Sequence, residues 1–182
     1  MKLIILDRDG VINEDSDEYI KSPDEFIPIP GSLEAITRLN HAGYRVVIIS
    51  NQSGIARKYF TVEILQNIHE KLRSLLADIG GQIDTILYCP HGPSDLCKCR
   101  KPKAGLFEEL KNRLHITFDN TLAVGDSLRD LQAAQSIGAK PVLVRTGKGL
   151  RTLQHKSMPT NIPVYDNLAE VVNDLLDEES ID

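Results

Sequence analysis

Two aspartates two residues apart, Asp7 and Asp9, close the apolar run Leu3-Ile4-Ile5-Leu6 and are followed by Gly10. Residues at i and i+2 of an extended segment project to one side, so both carboxylates can face one site. Gly10 lets the chain turn sharply beside them. Polar groups follow other apolar runs as well: Ser50-Asn51, Arg100-Lys101, and Gly125-Asp126-Ser127 with Asp130 a helical turn on. Three carboxylates gathered at one point repel unless a cation joins them, and clustered oxygen ligands suit Mg²⁺. A lysine and a hydroxyl in the same place suit the remaining oxygens of a phosphoryl group. Phosphoryl transfer depends above all on charge neutralisation and positioning. An aspartate can be its nucleophile, through an aspartyl-phosphate. A second carboxylate can protonate the leaving oxygen and then take a proton from water.

A different chemistry sits in Cys89-Pro-His91-Gly-Pro-Ser-Asp-Leu-Cys97-Lys-Cys99, where three thiols and an imidazole fall within one short segment. Cys₃His is a structural zinc set with all four positions filled by protein. Cys89, His91, Cys97 and Cys99 are therefore expected to clip a loop with a structural Zn²⁺ and to set Arg100 and Lys101 beside the phosphate. The spacing is tighter than that of a zinc finger. The other histidines, His41, His69, His115 and His155, stand singly and read as surface or satisfied residues.

These residues can meet only if a parallel sheet brings them together. Short apolar runs predict strands at Lys2–Leu6, Tyr44–Ile49, Ile83–Tyr88, Thr121–Val124, Pro141–Val144 and Val164-Tyr165. Helical spacing joins Leu33, Ile36 and Leu39 after an N-cap at Ser32, and Leu65, Ile68, Leu72, Leu75, Leu76 and Ile79 after a cap at Thr61. Further helices carry Leu106, Phe107, Leu110 and Leu114, then Leu131 and Ala134, then Leu168–Leu176 behind an Asn167/Glu170 capping box. Residues 7–31 read as one long functional loop, Gly147–Pro163 as loop, and the acidic tail Asp177–Asp182 as frayed. Strands alternating with helices imply a Rossmann-like three-layer α/β/α fold with a mostly parallel sheet. All the polar groups above then lie on its carboxyl edge, where open α/β sheets bind ligands.

The chain has 182 residues, 41% hydrophobic and 26% charged, which suits one domain over residues 1–182. A net charge of −5 argues against a general nucleic-acid or membrane-surface binder. The Leu3–Leu6 run is too short for a signal-peptide core, and nothing approaches a transmembrane span. Three clustered cysteines are no disulfide framework. The expectation is a cytoplasmic monomer.

Asp7-Arg-Asp9-Gly, Ser50-Asn51, Lys101 and Gly125-Asp126-Ser127-x-x-Asp130, in this order, resemble the haloacid dehalogenase superfamily of aspartate-dependent phosphatases. The resemblance implies Asp7 as nucleophile and Asp9 as acid/base. It implies Mg²⁺ held by the Asp7 carboxylate, the Asp9 main-chain carbonyl and Asp126, with Ser50 and Lys101 on the phosphoryl oxygens. Asp130 is expected to orient Lys101 or a metal-bound water. The zinc-clipped loop before Arg100-Lys101 narrows the likeness to the branch holding heptose bisphosphate and histidinol-phosphate phosphatases. Ser50–Arg57, Cys89-Pro-His91 and Cys99–Pro102 look more like the heptose side of that branch. That implies removal of the 7-phosphate of D-glycero-D-manno-heptose 1,7-bisphosphate, toward nucleotide-activated heptose and lipopolysaccharide core. Lys58 stands where that branch usually has a glycine, and Ser127 where it often has a cation that Arg129 could replace.

Neither the Asp9–Ser50 nor the Asn51–Lys101 interval has room for a cap domain, so the site should be open. Asp15, Ser16, Asp17, Tyr19, Asn51, Gln52, Ser53, Arg57 and Arg100 are the candidate contacts to a phosphorylated sugar. Two other classes compete. A signalling receiver domain carries its acceptor aspartate after the third strand, where this chain has Cys89. A non-catalytic zinc-stabilised binding module, for protein or nucleic acid, is opposed by the acidic balance and the single zinc set.

Overall fold

The computed structural model describes residues 1–179. Six strands form one sheet: β1 (Leu3–Leu6), β2 (Arg45–Asn51), β3 (Thr85–Cys89), β4 (Leu122–Gly125), β5 (Lys140–Val144) and β6 (Val164–Tyr165). Their spatial order is β3-β2-β1-β4-β5-β6, and every neighbouring pair is parallel. The helices are α1 (Ser32–His41), α2 (Val62–Asp78), α3 (Gly105–Leu114), α4 (Leu128–Ser136), α5 (Gly149–Leu153) and α6 (Leu168–Glu179).

The period-2 alternation of β1 explains the layering. Ile4 and Leu6 face a core completed by Ile36 and Leu39 of α1, Ile68, Leu72 and Leu76 of α2, and Val171 and Val172 of α6. Leu3 and Ile5 face a second core with Phe107 and Leu110 of α3 and Ala133 and Ala134 of α4. A strand buried on both faces must be apolar at every position, as β1 is. Each such aliphatic side chain stabilises the fold by about 1.5–3 kcal/mol. After β3 the chain crosses to the other side of β1 to form β4. Ligands bind at the crevice such a reversal opens at the strands' carboxyl ends. The register aligns Leu6 with Ile48 of β2 and Val124 of β4, so Ser50 and Asp126 emerge within one residue of the level of Asp7.

Several boundaries differ from the sequence reading. β2 continues through Ser50 and Asn51, which are strand residues paired with Tyr88 and Cys89 of β3. Gly31, with φ +83°, takes the cap position of α1, because Ser32 turns its hydroxyl to the Ile12 carbonyl at 2.7 Å. The stretch read as loop after Gly147 contains the short helix α5. Residues 177–179, read as frayed, continue α6, and the rest of that tail lies outside the described residues. Residues 10–31 hold a single 3-10 turn at Pro23–Glu25, and no cap domain interrupts the described chain. Lys58 adopts φ +61°, the left-handed conformation that glycine reaches without strain.

Candidate active site

Asp7 leaves β1 with its N–H donated to the Val124 carbonyl at 2.9 Å, which pins it against β4. Its Oδ1 accepts from the Arg8 N–H at 2.8 Å and lies 3.1 Å from the Lys101 ammonium. Lys101 is buried between Asp7, Asp130 at 2.7 Å and the Ile49 carbonyl at 2.7 Å. Burial opposes its charge, yet Asp130 and Asp7 push its pKa up to about 12, so it stays an ammonium. Asp130 is fixed from its other oxygen, which accepts from the Ser127 N–H and hydroxyl at the start of α4. This makes Asp130 the orienter of Lys101.

The sequence reading expects Asn51 to meet substrate. Asn51 lines the cavity, and its side-chain amide also brackets the Lys101 backbone, accepting from its N–H at 3.0 Å and donating to its carbonyl at 3.1 Å. Ser50 is also buried, and its hydroxyl accepts from Gln52 Nε2 at 2.8 Å, which leaves the hydroxyl's own proton to donate. The same Gln52 nitrogen donates to Asp9 Oδ2 at 2.9 Å. Burial would raise the Asp9 carboxyl, but Arg8 beside it and hydrogen bonds from Asn13, Arg8 and Gln52 hold it below the usual carboxylate range.

Asp7, Asp126 and Asp130 each offer a carboxylate oxygen within 4.8 Å of the others. Burial raises Asp7 and Lys101 lowers it, while Asp130 and Asp9 raise it again, leaving it at about 7. Burial, then Asp130 and Asp7, push Asp126 to about 8. Crowded carboxyls whose ionisation is resisted in this way are a donor set that a hard divalent cation would relieve. An all-oxygen set at the carboxyl edge therefore fits Mg²⁺.

The backbone is cut to shape around Asp126. A Cβ on Gly10 would stand 2.0 Å from Asp126 Oδ2, and one on Gly147 2.2 Å from the same atom. That oxygen accepts from the Lys148 N–H at 2.7 Å, and the Asp126 carbonyl accepts from the Thr152 hydroxyl at 2.8 Å. The β5–α5 connection thus holds Asp126 from behind, a role that its sequence, read as plain loop, does not announce. A Gly-Lys-Gly run soon after a strand is the available signal. Gly147→Ala should push Asp126 aside and raise the Mg²⁺ concentration needed for half-maximal activity by about 10-fold or more, as lost outer-sphere support does. A magnesium titration of turnover measures it.

All nine expected sugar contacts line one open cavity of about 300 Å³ together with Asp7, Asp9, Lys101 and Asp126. Asp15 pairs with Lys148 at 2.6 Å and Asp17 with Arg151 at 3.2 Å, so α5 and its lead-in strap the 15–19 loop. Tyr19 packs on Tyr59, ring centroids 5.2 Å apart. Arg100 and Arg129 both line the cavity; partial burial, then the neighbouring Arg129 charge, lowers the Arg100 pKa.

Cys89, at the end of β3, starts the second cluster. Its Sγ lies 2.9 Å from Cys99 Sγ and 3.8 Å from Cys97 Sγ, and His91 Nδ1 lies 3.2 Å from Cys99 Sγ. None of the three cysteines is in a disulfide. Four soft donors converging within 4.8 Å suit a tetrahedral zinc set.

The chain is 51% identical to the D-glycero-beta-D-manno-heptose-1,7-bisphosphate 7-phosphatase of Pseudomonas aeruginosa, over 96% of this chain and 97% of that protein. It belongs to the HAD-like hydrolase family. A HAD-hydrolase-like family model matches residues 98–171 of this HAD-like chain. The phosphatase of the same name from Neisseria meningitidis serogroup B is 50% identical, over 99% of this chain and 97% of that protein. Among solved HAD-like structures, the D,D-heptose 1,7-bisphosphate phosphatase from B. bronchiseptica, complexed with magnesium and phosphate, superposes with a TM-score of 0.96. It is 51% identical and covers 98% of this chain and 99% of that one.

Proposed function

We propose that this chain removes the 7-phosphate of D-glycero-β-D-manno-heptose 1,7-bisphosphate, leaving the heptose 1-phosphate for nucleotide-activated heptose and lipopolysaccharide core. The observation that carries the reading is the convergence of Asp7, Lys101 and Asp126 on one spot in a chain half identical to phosphatases named for this reaction.

Asp7 attacks phosphorus, and Asp9 gives its proton to the departing sugar oxygen as the phosphorus–oxygen bond breaks. Asp9 then takes a proton from water whose oxygen attacks the aspartyl-phosphate, releasing inorganic phosphate and the Asp7 carboxylate. Without ligand Asp9 is held as the carboxylate. A phosphate dianion arriving beside it raises its proton affinity toward the acid form. The Lys101 ammonium neutralises charge on the phosphoryl oxygens, and the Ser50 hydroxyl donates to one of them. Asp7, the Asp9 carbonyl and Asp126 would hold Mg²⁺, which would supply neutralisation of the phosphoryl charge. Arg100, with Arg129 and Arg57 nearby, is placed to receive the second phosphate.

The test compares kcat/KM for the β and α anomers of the heptose bisphosphate with that for histidinol phosphate. The β anomer should exceed histidinol phosphate by about 100-fold or more, since a missing second phosphate leaves the arginine cluster unpaired. Equal values would overturn the substrate assignment while leaving phosphatase chemistry intact.

The Cys89, His91, Cys97 and Cys99 set is proposed to hold one structural Zn²⁺, supported by the thiol and imidazole convergence. Stripping that ion with a chelator should lower the melting temperature and cut kcat/KM about 10-fold by loosening Arg100 and Lys101, with recovery on adding back zinc but not magnesium. Metal analysis against activity measures both. Cytoplasmic location is part of this proposal, supported by three cysteines free of disulfides, and a monomeric state is proposed with it.

A further inference from the structure

Arg8 stands between the two catalytic aspartates, and its guanidinium is completely buried. A strand-end residue between two solvent-reaching carboxylates would ordinarily turn outward to water. Burying a guanidinium costs several kcal/mol unless carboxylate and hydrogen-bond partners compensate it. Its partners here are specific. Nε and one terminal nitrogen both donate to Asp9 Oδ1, at 3.1 and 2.8 Å. The other terminal nitrogen lies 3.2 Å from Nε2 of His69, on α2. An arginine can only donate, so His69 Nε2 accepts and the ring proton sits on Nδ1. His69 is itself buried and stands near Tyr88 of β3, ring centroids 6.1 Å apart. Burial, then Arg8 and Arg73, keeps it neutral, with a pKa of about 3.

Asp9 Oδ1 also accepts from Asn13 Nδ2 at 2.9 Å, so it is surrounded by three donors. Among the described residues, Oδ2 receives only Gln52, which also reaches the Ser50 hydroxyl. The two oxygens of Asp9 are therefore unequal: one is anchored and the other is left for chemistry.

We propose that Arg8 and His69 are positioning residues that clamp Asp9 through Oδ1, so that Oδ2 alone hands the proton to the departing sugar oxygen and later takes one from water. The proposal rests on the phosphatase reading above. His69 orients the guanidinium, the guanidinium orients the carboxylate, and neither touches substrate.

A leaving-group comparison separates this role from a general structural one. kcat/KM covers the steps through phosphoryl transfer to Asp7, where an alkoxide needs a proton and p-nitrophenolate does not. His69→Leu removes the acceptor for Arg8 at nearly constant volume. It should lower kcat/KM for the heptose bisphosphate about 10-fold, and that for p-nitrophenyl phosphate less than about 2-fold, because proton donation by a mispositioned acid loses part of its usual 10²–10⁴ contribution. His69→Gln, which keeps an acceptor, should restore most of the sugar-phosphate rate. Arg8→Lys carries the same test if His69→Leu does not fold, and predicts the same selective loss. Equal losses on both substrates, or no loss on either, would overturn the clamp. Wild-type protein inactive on both would instead sink the phosphatase reading.

Discussion

Asp7→Asn should release no inorganic phosphate from the heptose bisphosphate, a fall of at least about 10⁴-fold in kcat, because it removes the attacking oxygen and not merely a contact. The amide is nearly the same size and can still occupy the niche beside Lys101 and the Arg8 N–H. Substrate binding should therefore survive, with Kd within about 10-fold of wild type. Loss of a carboxylate also removes one repulsive member of the Asp7, Asp126 and Asp130 set. The metal-free variant is expected to be at least as stable as wild type. Phosphate release, ligand titration and thermal melting together test it. Retained turnover would mean that water attacks phosphorus directly, and the aspartyl-phosphate route would fail.

Lys101→Met should do the reverse to stability. Its ammonium is the charge that lets Asp7 and Asp130 sit 3.1 and 2.7 Å from one point in a buried place. Removing one partner of a buried ion cluster leaves the others uncompensated, at about 3–5 kcal/mol. The melting temperature of the metal-free protein should drop accordingly, and kcat should fall about 10²–10³-fold as phosphoryl-oxygen stabilisation is lost. Adding Asp130→Asn to Lys101→Met should recover part of the stability and none of the rate. A double variant as unstable as the single one would mean that Lys101 contributes by packing rather than by charge.

Much of the fold and of the site is legible in the amino-acid sequence, because it depends on period and punctuation. Asp7, Asp126 and Lys101 follow apolar strands, and a parallel sheet leaves strand ends no choice of edge. The soft cluster is legible too, since its ligands are close neighbours in sequence. What escapes depends on side-chain direction across long sequence separations. Nothing in the spacing singles out Arg8, whose partner His69 lies 61 residues away on α2. That the Asn51 amide also brackets the Lys101 backbone, 50 residues on, is not readable from spacing. Gly147 looks like any loop glycine; only the approach of Gly10 and Asp126 shows that a methyl group has nowhere to go. The Ser32 cap fails because Gly31, in the left-handed conformation, already turns the chain into the helix, and Ser32, its first residue, donates its hydroxyl to the Ile12 carbonyl.

Because all six strands run the same way, the molecule has a working end and an idle end. The groups with a chemical task stand at the carboxyl ends of the strands or in the loops that leave them. Met1, well exposed just ahead of β1, opens onto the idle end. A tether or partner domain fused there would leave the mouth of the cavity facing open solution, and sequence drift on that rim costs the reaction nothing.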